Sequence, residues 1–167
     1  MNIALILTFS RLILSPLLLA PLIAFKAPAL LVSSIYFLLA ATDFLDGFFA
    51  RRYKQATVLG AFLDQFADKV FLFSVVIATV ATQQCAWWQA LLLILRELLV
   101  MGFREYGMQR NIAVPVIFSA KVKTTFQMLF FGAILLGMPD VIIDLLFGIT
   151  LFLSYYSAYY YGRRLVG

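Results

Sequence analysis

The sequence predicts an all-α integral membrane protein, a bundle of six transmembrane helices. Three observations predict it. The chain of 167 residues is 64% hydrophobic and only 13% charged, with a mean hydropathy of +0.99. Apolar runs long enough to cross a bilayer, which takes about 20 residues, recur from end to end at roughly 11–27, 28–49, 62–82, 86–103, 119–137 and 140–162. These runs do not alternate apolar and polar residues, as the strands of a membrane β-barrel do. No stretch remains for a soluble domain, so residues 1–167 read as a single membrane-embedded domain.

The first run differs from a cleaved signal. Arg11 lies inside it, and no small-residue cleavage site follows. Residues 1–10 are expected along the membrane surface, feeding into the first span. Thr8, Arg11 and Ser15 are spaced i, i+3 and i+7, one polar stripe on a helix that should face protein or headgroups. Pro16 and Pro21 can kink this span, Pro28 and Pro139 mark turns, and Pro115 falls in an irregular loop before the fifth span.

Charge orients the later elements. Of 13 Lys and Arg, only Lys26 adjoins one set of turns, whose other members are TQQC at 82–85 and GMPD at 137–140. The opposite side carries Arg51, Arg52, Lys54, Arg104, Arg110, Lys121, Lys123, Arg163 and Arg164. Positive loops stay cytoplasmic, so both termini are expected inside. Trp87 and Trp88 mark one interface, and Tyr155, Tyr156, Tyr159, Tyr160 and Tyr161 the other. The net charge of +5 thus reflects topology and anionic partners, membrane lipids among them. No nucleic-acid partner is expected, since there is no soluble basic face or recognised motif. Cys85 is the single cysteine and can form no internal disulfide. Internal repeats and paired broken helices, the marks of many transporters, are not visible.

Against this apolar background the segment DFLDGFFARRYKQATVLGAFLDQFAD places four carboxylates in one window. Asp43 and Asp46 are i, i+3 at the end of the second span, and Asp64 and Asp68 are i, i+4 at the start of the third. Each pair therefore shares one face of its helix, and the short connection brings the two helices side by side. Four converging carboxylates repel one another. Hard divalent cations relieve this, and four shared carboxylates suit two ions, the arrangement that clamps attacking and leaving oxygens in phosphoryl transfer. Gly47 and Gly60 remove side chains where a ligand approaches, and Arg51 is placed to fork onto a diphosphate. The plainer reading is a set of helix-end carboxylates bridged to Arg51, Arg52, Lys54 and Lys69. It does not account for the glycines.

The spacing D-x2-D-G-x2-A-R-x8-G-x3-D-x3-D resembles the signature of the CDP-alcohol phosphotransferases, with Asp43, Asp46, Gly47, Ala50, Arg51, Gly60, Asp64 and Asp68 at its fixed positions. The resemblance implies a six-helix membrane bundle of that type, commonly a homodimer, with two Mg²⁺ or Mn²⁺ ions held by Asp43, Asp46, Asp64 and Asp68. It implies that Asp68 is the general base and that Gly47, Arg51, Thr57 and Gly60 contact the CDP moiety of CDP-diacylglycerol. Asn2 or Thr8 is placed to touch it from the N-terminus. The implied reaction is attack by an acceptor hydroxyl on the phosphorus bearing the diacylglycerol, with CMP leaving.

RELLVMGFREYGMQRNIAVPVIFSAKVKTTFQM, Arg96 to Met128, bears on the acceptor. Its RE…RE and K-x-K-T-x2-Q pattern, with N-I-x3-L-T-x2-R at the N-terminus and L-D-x2-A-D-K around Asp64, is similar to the bacterial branch that uses sn-glycerol 3-phosphate. Gln65 and Ala120 depart from it, standing where proline and glycine are expected. A phosphorylated acceptor needs about two cations near the metals, and Arg104, Lys121 and Lys123 are the candidates. Glu97, seven residues before Arg104, is placed to orient it. Other acceptors, phosphatidylglycerol as in a cardiolipin synthase or an inositol phosphate, stay open, as does a divalent-cation transporter.

Overall fold

The computed structural model describes residues 3–52, 58–110 and 118–166, and the side chains within them except those of 3–4, 43–52, 58–59, 61 and 166. Every regular element among the described residues is helical. The first is a nearly continuous rod: α1 (Ile3–Leu14), a π-helical turn (Ser15–Leu19) and α2 (Ala20–Ala24). Five long helices follow: α3 (Ala29–Arg52), α4 (Val58–Ala81), α5 (Trp87–Gln109), α6 (Phe118–Leu135) and α7 (Asp140–Val166). The rod and these five match the six apolar runs in order. Residues 3–10, expected as a separate surface segment, form the first turns of the rod. Helix α5 runs past the apolar stretch because Arg104 and Glu105 are good helix formers and nothing before Arg110 stops it.

The turns at 25–28, 82–86 and 136–139 fall where the sequence places them. Each contains one residue in the left-handed region: Lys26 (φ 52°), Gln83 (φ 61°) and Gly137 (φ 67°). At the first, Ala27 N–H donates to Leu22 O and Lys26 N–H to Ile23 O; at the second, Gln84 N–H donates to Thr79 O and Gln83 N–H to Val80 O. Both are Schellman closures, which return the last helical carbonyls to donors. Pro28 and Pro139 then prevent the preceding helix from continuing.

The chain divides into two compact units, Met1–Cys85 with Leu135–Gly137, and Ala86–Ile134 with Met138–Gly167. In the first, α1 packs on α3 and α4, and the π turn and α2 continue along α4. Tyr36 stacks on Phe71 with centroids 5.3 Å apart, among buried Val32, Leu39, Val75 and Val76. In the second, α5 packs on α7, with Val100, Ala158 and Tyr161 as a buried cluster flanked by Phe103 and Ala120. Phe130, Phe131, Phe147 and Trp88 form an aromatic group elsewhere in that unit.

The exterior is apolar. Phe25, Leu30, Val141 and Phe152 are each at least 70% exposed, an arrangement that water does not favour and lipid does. Hydroxyls inside the helices bond back to their own backbone, as in Ser33 to Ala29 O, Ser74 to Val70 O, Thr79 to Val75 O and Thr150 to Leu146 O. These hydroxyls thus need no water. Among the described residues, two stretches are long and apolar enough to cross a membrane by themselves, Leu5–Ala24 and Asp140–Leu165. In α4 the charged residues Asp64, Asp68 and Lys69 interrupt the apolar run, as Arg96, Glu97 and Arg104 do in α5, while the part of α3 whose side chains are described, Ala29–Thr42, is apolar but shorter. These features mark a membrane protein.

Candidate active site

Helix α3 carries Asp43, Asp46, Gly47 and Arg51 near its C-terminal end, and α4 carries Gly60, Asp64 and Asp68 near its start. The side chains of Asp43, Asp46 and Arg51 lie outside the described residues, as do Asn2 and Thr57 entirely. Asp64 and Asp68 are described, and they converge. Nη2 of Arg11, on α1, lies 2.9 Å from Asp64 Oδ1 and 3.2 Å from Asp68 Oδ1. Arg11 is fully buried, while the two carboxylates remain 38% and 44% exposed. One atom in reach of both carboxylates shows that their oxygens aim at a common point.

Arg11 reaches that point because its stripe faces inward. Thr8 and Ser15, on the same face, are buried too, and Ser15 Oγ donates to Arg11 O at 2.5 Å. The polar stripe faces protein. Arg11 itself is a site residue that the motif does not contain. The signal for it was an arginine set inside an apolar span at helical spacing from two other polar residues.

The Arg11 guanidinium takes the point that the two Oδ1 atoms share, and the carboxylates beside it, more than a third exposed, are the hard, anionic donors that Mg²⁺ and Mn²⁺ take. Asp64 and Asp68 therefore fit a divalent ion. No three Asp, Glu, Cys or His side chains gather among the described residues, so the completeness of the ligand set turns on Asp43 and Asp46.

The second unit holds the basic candidates, and it treats them differently. Lys121, in the first turn of α6, is exposed. Lys123, two residues on and so on another face, is 4% exposed. Its Nζ donates to Glu97 Oε1 and to Gln127 Oε1, the latter at 2.6 Å. The same Glu97 oxygen accepts from Arg96 Nη1 at 3.0 Å. Arg96 then crosses to α7, where Nε donates to Ser154 O at 3.0 Å and Nη2 to Ser157 Oγ at 2.5 Å. Lys123 and Gln127 of the K-x-K-T-x2-Q pattern thus join the first RE pair in one buried network, while Lys121 and Thr124 stay exposed.

Arg104 was expected to be oriented by Glu97, but that carboxylate is taken by Arg96 and Lys123. Tyr161 orients it instead: Arg104 Cζ sits 5.5 Å from the ring centroid and Nη2 lies 3.5 Å from the hydroxyl. The buried Nε of Arg104 has no hydrogen-bond partner among the described residues. Tyr161 is also a correction to the aromatic belt, being fully buried where Tyr156, Tyr159 and Tyr160 are exposed. Ser154, Ser157, Ala158 and Tyr161, at i, i+3, i+4 and i+7, form the inward face of α7. Gln65 is exposed, and Ala120 packs at the edge of the Val100 cluster.

Comparison with known proteins gives the class. The sequence model of the CDP-alcohol phosphatidyltransferase family matches residues 1–157. The chain belongs to that family. Among curated relatives, it is 39% identical over 166 residues to a protein of Sodalis glossinidius, covering 95% of this chain and 87% of the relative. It is 40% identical over 151 residues to one of Pectobacterium atrosepticum (86% and 81%), and 38% over 144 residues to one of Haemophilus influenzae (80% and 75%). Each of the three is named a CDP-diacylglycerol–glycerol-3-phosphate 3-phosphatidyltransferase.

Proposed function

We propose that this protein is a transferase of phospholipid biosynthesis that moves the phosphatidyl group of CDP-diacylglycerol to sn-glycerol 3-phosphate, giving phosphatidylglycerophosphate and CMP. The observation that carries the chemistry is the convergence of Asp64 and Asp68 on one point, inside a motif whose every fixed position is filled. The relatives of about 40% identity support the acceptor.

In this reading Asp43, Asp46, Asp64 and Asp68 hold two divalent cations, Mg²⁺ or Mn²⁺. Those ions supply charge neutralisation at the diphosphate and at the leaving CMP. Asp68 takes the proton of the attacking hydroxyl, and its exposure leaves an edge open to the acceptor. Arg51 pairs with the diphosphate, and Gly47 and Gly60 let it approach the helices. Asn2, Thr8 and Thr57 border the CDP moiety. Arg11 holds Asp64 and Asp68 together.

Arg104 holds the acceptor phosphate. Its guanidinium has no carboxylate partner among the described residues, and its buried Nε is an unanswered donor, which a dianionic phosphate satisfies. Lys121 adds an exposed cation. Lys123 acts behind them by fixing Glu97, and reaches the phosphate only by leaving that pair.

The protein spans the bacterial inner membrane with six helices, its basic ends and both termini cytoplasmic, and works as a homodimer. The decisive experiment is CMP release from CDP-diacylglycerol by the purified full chain with each acceptor in turn. Release is expected with sn-glycerol 3-phosphate. Faster release with phosphatidylglycerol or inositol phosphate reassigns the acceptor, and no release with any of them overturns the reading.

A further inference from the structure

The second unit contains a groove that the transfer chemistry does not use. It is about 670 Å³ in volume and runs between α5 and α7, walled by Leu99 and Phe103 on one side and by Tyr155, Ala158 and Gly162 on the other. Gly162 lets the Phe103 ring pack close beneath the groove, since a Cβ there would meet that ring at 3.4 Å. Tyr155 is a fixed wall, because its hydroxyl donates to Leu92 O at 3.2 Å. Towards the C-terminal end of α7 the lining changes. Tyr159 and Arg163 close the groove, and both also line an adjoining cavity of about 440 Å³ together with Tyr156, Tyr160 and Arg164.

The two halves differ in chemistry. Below, the lining is hydrocarbon and ring faces. Above, phenol hydroxyls and two guanidiniums stand together, and neither Arg163 nor Arg164 makes an ion pair among the described residues. An amphiphile with an anionic head and an acyl chain satisfies both. Basic pockets between membrane helices at the cytoplasmic surface are where anionic phospholipid headgroups bind, and the volume lies in the range of specific small-molecule sites. We infer that this groove binds an anionic diacyl phospholipid of the surrounding bilayer, its phosphate on Arg163 and Arg164 and one chain laid along Leu99, Phe103 and Ala158. The inference rests on α7 lying in the membrane, and it uses none of the aspartates.

The full chain is purified in mild detergent, exchanged with phosphatidylglycerol or phosphatidylcholine, and read by native mass spectrometry and by thermal melting. Phosphatidylglycerol is expected to be retained about tenfold or more over phosphatidylcholine, the discrimination that two surface cations provide, and to raise the melting midpoint. Arg163→Gln with Arg164→Gln removes the head contacts from an exposed position, so folding is not at risk. Leu99→Trp, from another exposed position, fills the chain groove. Both variants should lose the retained lipid while keeping the lipid-free midpoint and the KM for CDP-diacylglycerol. Equal retention of the two lipids by the wild type overturns the inference, and so does undiminished retention by the arginine double variant. A raised KM for CDP-diacylglycerol in both variants assigns the groove to the substrate lipid instead. Loss of a dimer in the variants, with retention intact, assigns it to a second copy of the chain. CMP release is assayed on the same wild-type preparation, so failure of the transferase reading is seen separately.

Discussion

Lys123 donates to Glu97 from the adjacent helix α6, and both residues are buried. Arg96 shares the same carboxylate oxygen. Two cations thus rest on one anion in the interior of the second unit. Removing Glu97 leaves both uncompensated. Glu97→Ala should therefore cost about 3–5 kcal/mol, the penalty for breaking a buried ion pair by deleting one side. Lys123→Ala should cost less, because Arg96 still answers Glu97. Thermal melting in detergent measures both. Equal midpoints for Glu97→Ala and wild type would contradict the network.

Arg104 lies outside that network, and its loss should be felt in catalysis. Arg104→Ala is expected to raise the KM for sn-glycerol 3-phosphate by roughly ten- to a hundredfold, the worth of a charge-assisted contact, with little change for CDP-diacylglycerol. Arg104→Lys should recover only part, since an ammonium cannot fork onto phosphate. Lys121→Ala should show a smaller effect in the same direction. Equal losses for both substrates would point to misfolding instead.

The carboxylates should behave as a shared metal site. Asn at position 43, 46, 64 or 68 removes a charge and most of the turnover, at a cost of several kcal/mol in transition-state stabilisation. Chelation should silence the wild type and Mg²⁺ or Mn²⁺ should restore it. An Asp64→Asn enzyme with near-normal turnover contradicts the assignment.

Orientation is tested with single cysteines in a Cys85→Ala background. A cysteine at position 55 should be protected from an impermeant reagent in intact cells, and one at position 84 should be labelled. The reverse pattern places the aspartates on the outer face.

Gln83 gives a stability prediction. A non-glycine residue in the left-handed region costs about 1 kcal/mol, and its φ is 61°. Gln83→Gly should raise the melting midpoint, the Schellman closure being retained. A lowered midpoint would show that the Gln83 side chain contributes more than its strain costs.

Much of the helical layout was legible from hydropathy, because lipid imposes one rule on every exposed side chain. The three turns were marked by Pro28, Pro139 and the polar TQQC. What escaped was the partner choice of buried polar groups. Sequence spacing put Glu97 beneath Arg104 on one stripe, yet a neighbouring helix delivered Lys123 to it first. Tyr161 looked like its four neighbours in a tyrosine cluster, and only the inward face of α7 separates it from them. The Asp64–Asp68 pair was legible because spacing within one helix fixes it. Arg11 was half legible: its stripe was visible, its destination on α4 was not.

The π turn at Ser15–Leu19, in which Ala20 N–H donates to Ser15 O, is equivalent to one extra residue in the rod. The wider π turn absorbs that residue, since its five residues turn about as far as four in an α-helix. Deleting one residue from 16–18 would therefore restore a regular α-helix and leave the two ends of the rod nearly in phase. Inserting one residue there finds no such slack, and would turn everything upstream by about 100°, one residue's step at 3.6 per turn. Thr8 and Arg11 would then leave α4 while Leu19 and Ile23 kept their places. A single inserted codon far from any aspartate would thus uncouple Arg11 from Asp64 and Asp68, whereas a single deleted codon around Pro16 would not. The first span is therefore a timing element that tolerates shortening by one residue and not lengthening.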